Sequence, residues 1–124
     1  MFAADVASQK LGIEMVELGD GHAVMSMTIT ADMVNGHAIT HGGYVFLLAD
    51  TAFAMACNSY DDAAVAARCD VRFLRPTEAG DVLVAEAVER ARFGRNGIYD
   101  VRVTHGTDVV AEFRGDSRTI ARQP

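Results

Sequence analysis

Cysteine, proline and basic charge are all scarce in this chain, and basic charge is missing from one half almost entirely. Two cysteines, Cys57 and Cys69, stand in apolar settings among 124 residues. A disulfide scaffold carries more than two. With one in a helical and one in a strand segment, a metal site is not expected. Both read as reduced core thiols. Two prolines and scattered glycines leave no low-complexity stretch, and no internal repeat is present. No apolar run reaches the roughly 20 residues of a membrane span. The longest, Tyr44 to Cys57, is interrupted by Asp50. The opening MFAADVASQKLGIE carries Asp5, Lys10 and Glu14 and lacks the apolar run of a signal peptide. A soluble cytoplasmic protein is expected, with no membrane partner.

What is present fits one domain spanning 1–124, long enough for a single core. Half the residues are hydrophobic and 23% are charged, ordinary values for a globular chain. A net charge of −6 argues against nucleic acid as a partner. Residues 1–67 hold one basic residue, Lys10, against eight acidic ones. Residues 68–124 hold ten arginines against nine acidic residues. A phosphate-bearing ligand would find its cationic contacts in that second half.

Periodicity gives the order of elements. Residues 2–10 read as a short helix, and 12–19 and 22–30 as strands around Gly19-Asp20-Gly21. Residues 32–42 are a polar, Gly-containing loop. GYVFLLADTAFAMACNS is apolar nearly all round and predicts a buried helix of about four turns. From residue 64 the period returns to two, through Cys69, Val71 and Phe73. Pro76 and Gly80, Gly94 to Gly97, and His105-Gly106 mark the turns between strands, and 81–93 read as a long strand. Antiparallel strands joined this way bury one face, and the central helix is its natural cover. The expected fold is α+β, a long helix wrapped by a curved antiparallel sheet in the hotdog arrangement.

Residues of chemical interest cluster between 35 and 50: Asn35, His41, Gly42, Gly43 and Asp50. Asp50 is the single charge inside an otherwise apolar helix. Burying an unpaired carboxylate costs several kcal/mol, so something must compensate or use it. Gly42 and Gly43 stand where the helix begins. Backbone N–H groups there stabilise developing negative charge, and missing side chains admit a ligand to the backbone. An ionised Asp50 could deprotonate water or attack a carbonyl directly. His41 is read as either a site neighbour or part of the helix cap, and His37 as a loop residue.

The run NGHAITHGGYVFLLADTAFAMACNS, followed by VRFLRP and FRGDSR, resembles the PaaI-type (phenylacetic acid degradation) thioesterases of the hotdog superfamily. The resemblance covers nearly the whole chain, and its core is HGG-x6-D with an upstream Asn. It implies hydrolysis of acyl-coenzyme A thioesters, often aryl-acetyl ones, without metal or organic cofactor. It implies Asp50 as general base or nucleophile and the Gly42 N–H as the group that polarises the carbonyl. Asn35 would help hold that carbonyl, with His41 beside it. The chain also departs from related enzymes. Some place a hydroxyl one turn after the carboxylate, where Ala54 stands here. Others use a Ser on the next strand, where Ala66 and Ala67 stand. Thr51 is the nearest hydroxyl in sequence.

Gly42 and Asp50 are eight residues apart, roughly 12 Å along a helix axis. One carbonyl carbon cannot touch both within one chain. A homodimer with two shared sites is therefore expected, as the resemblance implies, or a homotetramer built from such dimers. For the phosphates of acyl-CoA the candidates are Arg68, Arg75, Arg92, Arg95, Arg114 and Arg118. Arg114 gains from its place in FRGDSR. Gly43 and Thr51 are candidate substrate contacts, and Phe46, Phe53 and Met55 read equally as acyl-pocket lining or core. Two rivals remain. A hotdog enoyl-CoA hydratase would use Asp32 and His37, although Gly36 stands after Asn35 where that pattern has Pro. A non-catalytic acyl-CoA-binding regulator would normally carry a basic DNA-binding segment, for which this chain has no room.

Overall fold

The computed structural model describes residues 1–120. A 3₁₀ turn, Phe2–Ala4, leads to α1 (Val6–Lys10). Then come β1 (Glu14–Gly19), β2 (His22–Thr28), a second 3₁₀ turn at Ala31–Met33, and α2 (Gly42–Cys57). Four strands follow: β3 (Ala64–Phe73), β4 (Val82–Phe93), β5 (Asn96–His105) and β6 (Asp108–Thr119). All six strands form one antiparallel sheet in the order β1-β2-β4-β5-β6-β3. The helix α2 packs against it, which is the hotdog arrangement.

The period-two pattern puts the apolar set under α2. Ala23, Met25 and Met27 of β2, Leu83, Ala85 and Ala87 of β4, Tyr99, Val101 and Val103 of β5, and Phe113 of β6 are all buried. Their neighbours in sequence face outward, as alternation requires. Phe53 of α2 sits at the centre, with ring centroids 5.7 Å from both Tyr99 and Phe113. Beneath it the sheet must be smooth. A Cβ at Gly115 would lie 2.7 Å from the Phe53 ring, so the glycine of FRGDSR makes room for the helix. At the β1–β2 turn, Gly21 has φ +67, and a Cβ there would meet the Glu89 side chain at 2.9 Å. Glycine fits both demands.

Three details differ from expectation. The segment 2–10 is two short pieces, because the Asp5 side chain accepts from Ser8 N and starts a new helix there. The first two strands are shorter than 12–19 and 22–30, since β1 opens at Glu14 and β2 closes at Thr28. Within β3 the register against β6 shifts between Ala66 and Arg68, leaving Ala67 without a partner. Ala66 stands opposite Ser117 and Cys69 opposite Gly115, so the inward residues change parity across that bulge.

Nor is α2 buried all round. Leu48, Ala49, Ala52, Phe53 and Ala56 have no more than 1% exposure. Gly43 is exposed, and Phe46, Leu47, Asp50 and Ala54 are half-buried. With spacings of three and four, these residues share one face. A mostly apolar stripe of the central helix, carrying its one charge, thus remains open to solvent.

Candidate active site

The loop before α2 is built around Asn35. Its Oδ1 accepts from the backbone N–H groups of His37 at 2.9 Å and Ile39 at 3.4 Å. Its own N–H donates to Ile39 O at 2.8 Å. These bonds hold Ala38 at φ +62, a left-handed conformation that a non-glycine residue adopts only under constraint. They also fix the Asn35 amide, and among the described residues no acceptor takes up its Nδ2 donors. His41 caps α2, with its Nδ1 accepting from Gly43 N at 3.0 Å. That bond assigns the neutral ring's proton to Nε2. The Gly43 amide is therefore engaged. The Gly42 N–H, first in the helix, donates to nothing among the described residues.

Gly42 and Asn35 line one cavity of about 460 Å³, closed mainly by Ile39, Val45, Phe73 and Leu74, with Arg75 at its edge. The Phe73 ring lies over Gly42: a Cβ there would stand 3.1 Å from it. Two residues with donors not taken up among the described residues thus line one apolar recess, backed by the positive end of a 16-residue helix. Arg75 Nη1 donates to Val109 O at 2.8 Å, which fixes its stem and leaves further N–H groups.

Asp50 stands two turns further along α2, half-buried on the open stripe. Among the described residues no hydrogen bond or ion pair reaches its carboxylate. Burial pushes its carboxyl above the usual range, and the negative charge of Asp5 pushes it the same way. A carboxylate that gives up hydration without gaining a donor is a stronger base than one in water.

The thioesterase superfamily model matches residues 37–112, from the loop before α2 into β6. The chain belongs to the thioesterase superfamily. It is 47% identical over 121 residues to the acyl-coenzyme A thioesterase PaaI of Escherichia coli (strain K12), covering 97% of this chain and 86% of that one. The structure of the E. coli PaaI protein from the phenylacetic acid degradation operon superposes with a TM-score of 0.96, covering 98% of this chain and 88% of that one. A mutant of the phenylacetic acid degradation protein PaaI from Thermus thermophilus gives 0.89 at 35% identity, covering 92% and 98%. Within the superfamily, this thioesterase chain falls with the PaaI-type members.

The remaining sequence candidates of this thioesterase are dispersed. Thr51 is 5% exposed. Its hydroxyl donates to Leu47 O at 2.8 Å and meets Ser8 Oγ at 2.9 Å, so it faces α1. Arg114 alternates with buried Phe113 and lies on the sheet face away from α2. There Asp100 accepts from its Nε at 2.6 Å and Nη2 at 2.8 Å, and from Arg90 at 2.9 Å. Arg68 shares that outer face, exposed and opposite Asp116. Arg92 stacks over Tyr60, 3.7 Å from the ring centroid. With Arg95 it lines a cavity of about 270 Å³ at the far end of α2. Phe46 is half-buried and packs edge-on against Phe113 at 5.4 Å. Phe53 and Met55 are core. Asp32 and His37 are both exposed, and no hydrogen bond or ion pair joins them. Cys57 and Cys69 are free thiols. Among the described residues no cluster of His, Cys, Asp and Glu could hold a metal ion. Sequence reasoning missed Phe73, which VRFLRP contains, and Asp5, whose D-x-x-S spacing marks a helix start.

Proposed function

We propose that this chain hydrolyses an acyl-CoA thioester, with aryl-acetyl or hydroxyphenylacetyl groups as the preferred acyl class. The observation that carries the reading is the pair of unoccupied donors, Gly42 N–H and Asn35 Nδ2, in one apolar recess at a helix N-terminus. A thioester carbonyl oxygen held there would gain hydrogen bonds as its charge grows. One such donor is typically worth about 10² to 10³ in rate. Asp50 is the base or the nucleophile. As base it takes a proton from water, whose oxygen bonds to the carbonyl carbon. The C–S bond then breaks, and CoA leaves as the thiolate and takes up a proton. The products are a carboxylic acid and free CoA. No metal or organic cofactor enters this scheme.

Gly42 and Asp50 lie roughly 12 Å apart along one helix, too far for a shared carbonyl. The site is completed by a second copy, whose Asp50 faces the first copy's Gly42 across a two-fold axis. The half-exposed apolar stripe on α2 and the unpaired edge of β3 support this homodimer. Two such dimers then form the homotetramer. Among the described residues no helix is long and apolar enough to cross a membrane. A cytoplasmic setting suits the free thiols and a CoA substrate.

The test is a panel of acyl-CoA esters with thiol release measured for wild type and Asp50→Asn. We expect aryl-acetyl esters to turn over fastest. The variant should fold, bind substrate and lose most turnover. Undiminished turnover in Asp50→Asn would sink the assignment. Tight binding of intact esters by wild type, without cleavage, would replace the enzyme with a binding protein.

A further inference from the structure

We infer that Asp5 is a positioning residue for Asp50, acting through two hydroxyls, Ser8 and Thr51, that fasten α1 to the turn of α2 carrying the carboxylate. The inference rests on Asp50 being the working group. Asp5 Oδ1 accepts from Ser8 N at 3.0 Å, and Oδ2 accepts from Ser8 Oγ at 2.7 Å. Ser8 is 3% exposed. Its Oγ lies 2.9 Å from Thr51 Oγ1, which donates to Leu47 O at 2.8 Å. Three contacts share two hydroxyl protons, so at any moment the chain of contacts holds two hydrogen bonds and one bare oxygen–oxygen approach. It begins at a carboxylate and ends beside Asp50.

Apolar packing alone could seat α1, since Phe2 and Leu11 already touch the core. A buried polar group between two helices is costly unless it has a hydrogen-bond partner, and among the described residues no buried side-chain polar atom lacks one. No cation pairs with Asp5 among the described residues. Its charge therefore reaches Asp50 uncompensated and raises its carboxyl further than burial alone. The other titratable groups facing Asp50 are Cys57 on α2 and Cys69 on β3. Burial pushes the Cys57 thiol up to about 12 and the Cys69 thiol upward too, so neither carries charge at neutral pH. The inward residues of β2, β4, β5 and β6 add the Tyr99 phenol, which burial pushes up, and the Glu89 carboxylate, which accepts from the Tyr99 and Tyr60 hydroxyls at 3.0 and 3.1 Å and does not act on Asp50. The strand β1 faces solvent throughout. Asp5 is thus the one negative neighbour that α2 gains from the element docked on it.

The test compares Asp5→Asn with wild type. Asparagine keeps the oxygen that caps α1 and removes the charge, and Asp5→Ser is a second uncharged cap. Circular dichroism across the pH range checks the fold. The acid limb of kcat against pH should move to lower pH in both variants. Carbonyl ¹³C NMR, with the Asp50 signal assigned by its loss in Asp50→Asn, should show Asp50 itself titrating at lower pH in Asp5→Asn. Ser8→Ala should lower kcat with little change in KM, because it releases the tether and leaves the charge. An unmoved acid limb and an unmoved Asp50 titration, with Asp50→Asn inactive, would overturn the inference and spare the catalytic assignment. Turnover surviving in Asp50→Asn would sink the catalytic assignment, and the NMR titration would then decide on Asp5 by itself.

Discussion

In its proposed role, Asp50 sets function against stability in one side chain. Its carboxyl sits above the usual carboxylate range in the fold. The folded chain therefore holds a proton that the unfolded chain has already released at the same pH. Its contribution is complete below the unfolded-state value and is lost as pH rises through the folded one. Asp50→Asn removes that loss. We expect this variant to melt at a higher temperature than wild type at pH 7, the two converging below about pH 4. A lower melting temperature at neutral pH would contradict the account. Gly42 makes the opposite case, a residue whose side chain must stay absent. In Gly42→Ala the methyl lies 3.1 Å from a Phe73 ring that is 54% exposed and free to swing. The fold should survive, with turnover reduced on the order of 100-fold, because a misplacement near 1 Å costs about that much. Thermal melts beside initial rates separate the two effects. These residues were legible in the sequence because each broke a local rule, a charge in an apolar helix or adjacent glycines at its start. The arginines broke none. Arg114 looks the same from sequence whether it meets a phosphate or Asp100, and cross-strand register brings Asp100 to it.

The elements were read well where one period ran uninterrupted. The central helix was expected to open at Gly43 and opens at Gly42. β2 and β5 bury every second residue, as their patterns predict. Legibility failed where a single residue changes the period. Asp5 cuts the first helix by capping the second, and Ala67 switches the parity of β3. The contact between Phe53 and Gly115 joins residues distant in sequence, so no local pattern announces it. Gly115→Ala places a Cβ 2.7 to 2.8 Å from the Phe53 ring in a packed core. We expect a loss of about 1–3 kcal/mol, read from the urea midpoint, with kcat per folded molecule little altered. A midpoint equal to wild type would mean that the helix can ride higher on the sheet.

The whole molecule is where a single chain falls short of its proposed chemistry, and mixing variants exposes this. If each site takes Gly42 from one copy and Asp50 from the other, a heterodimer of Gly42→Ala with Asp50→Asn has one doubly damaged site and one intact site. Equal co-expression of two nearly inactive chains should then restore about a quarter of wild-type activity, since half the dimers are mixed and each has one working site of two. No recovery would show that each chain works alone. In a dimer that pairs along the β3 edge, the seam between copies would also be constrained by the surplus residue in β3. The parity of outward-pointing N–H and C=O groups reverses at Ala67, as it does toward β6. Any ladder laid along this edge inherits the reversal. It can run unbroken on one side of Ala67, or it must set the two bulges face to face on the axis, so one out-of-step residue limits the registers in which two copies can be sewn together.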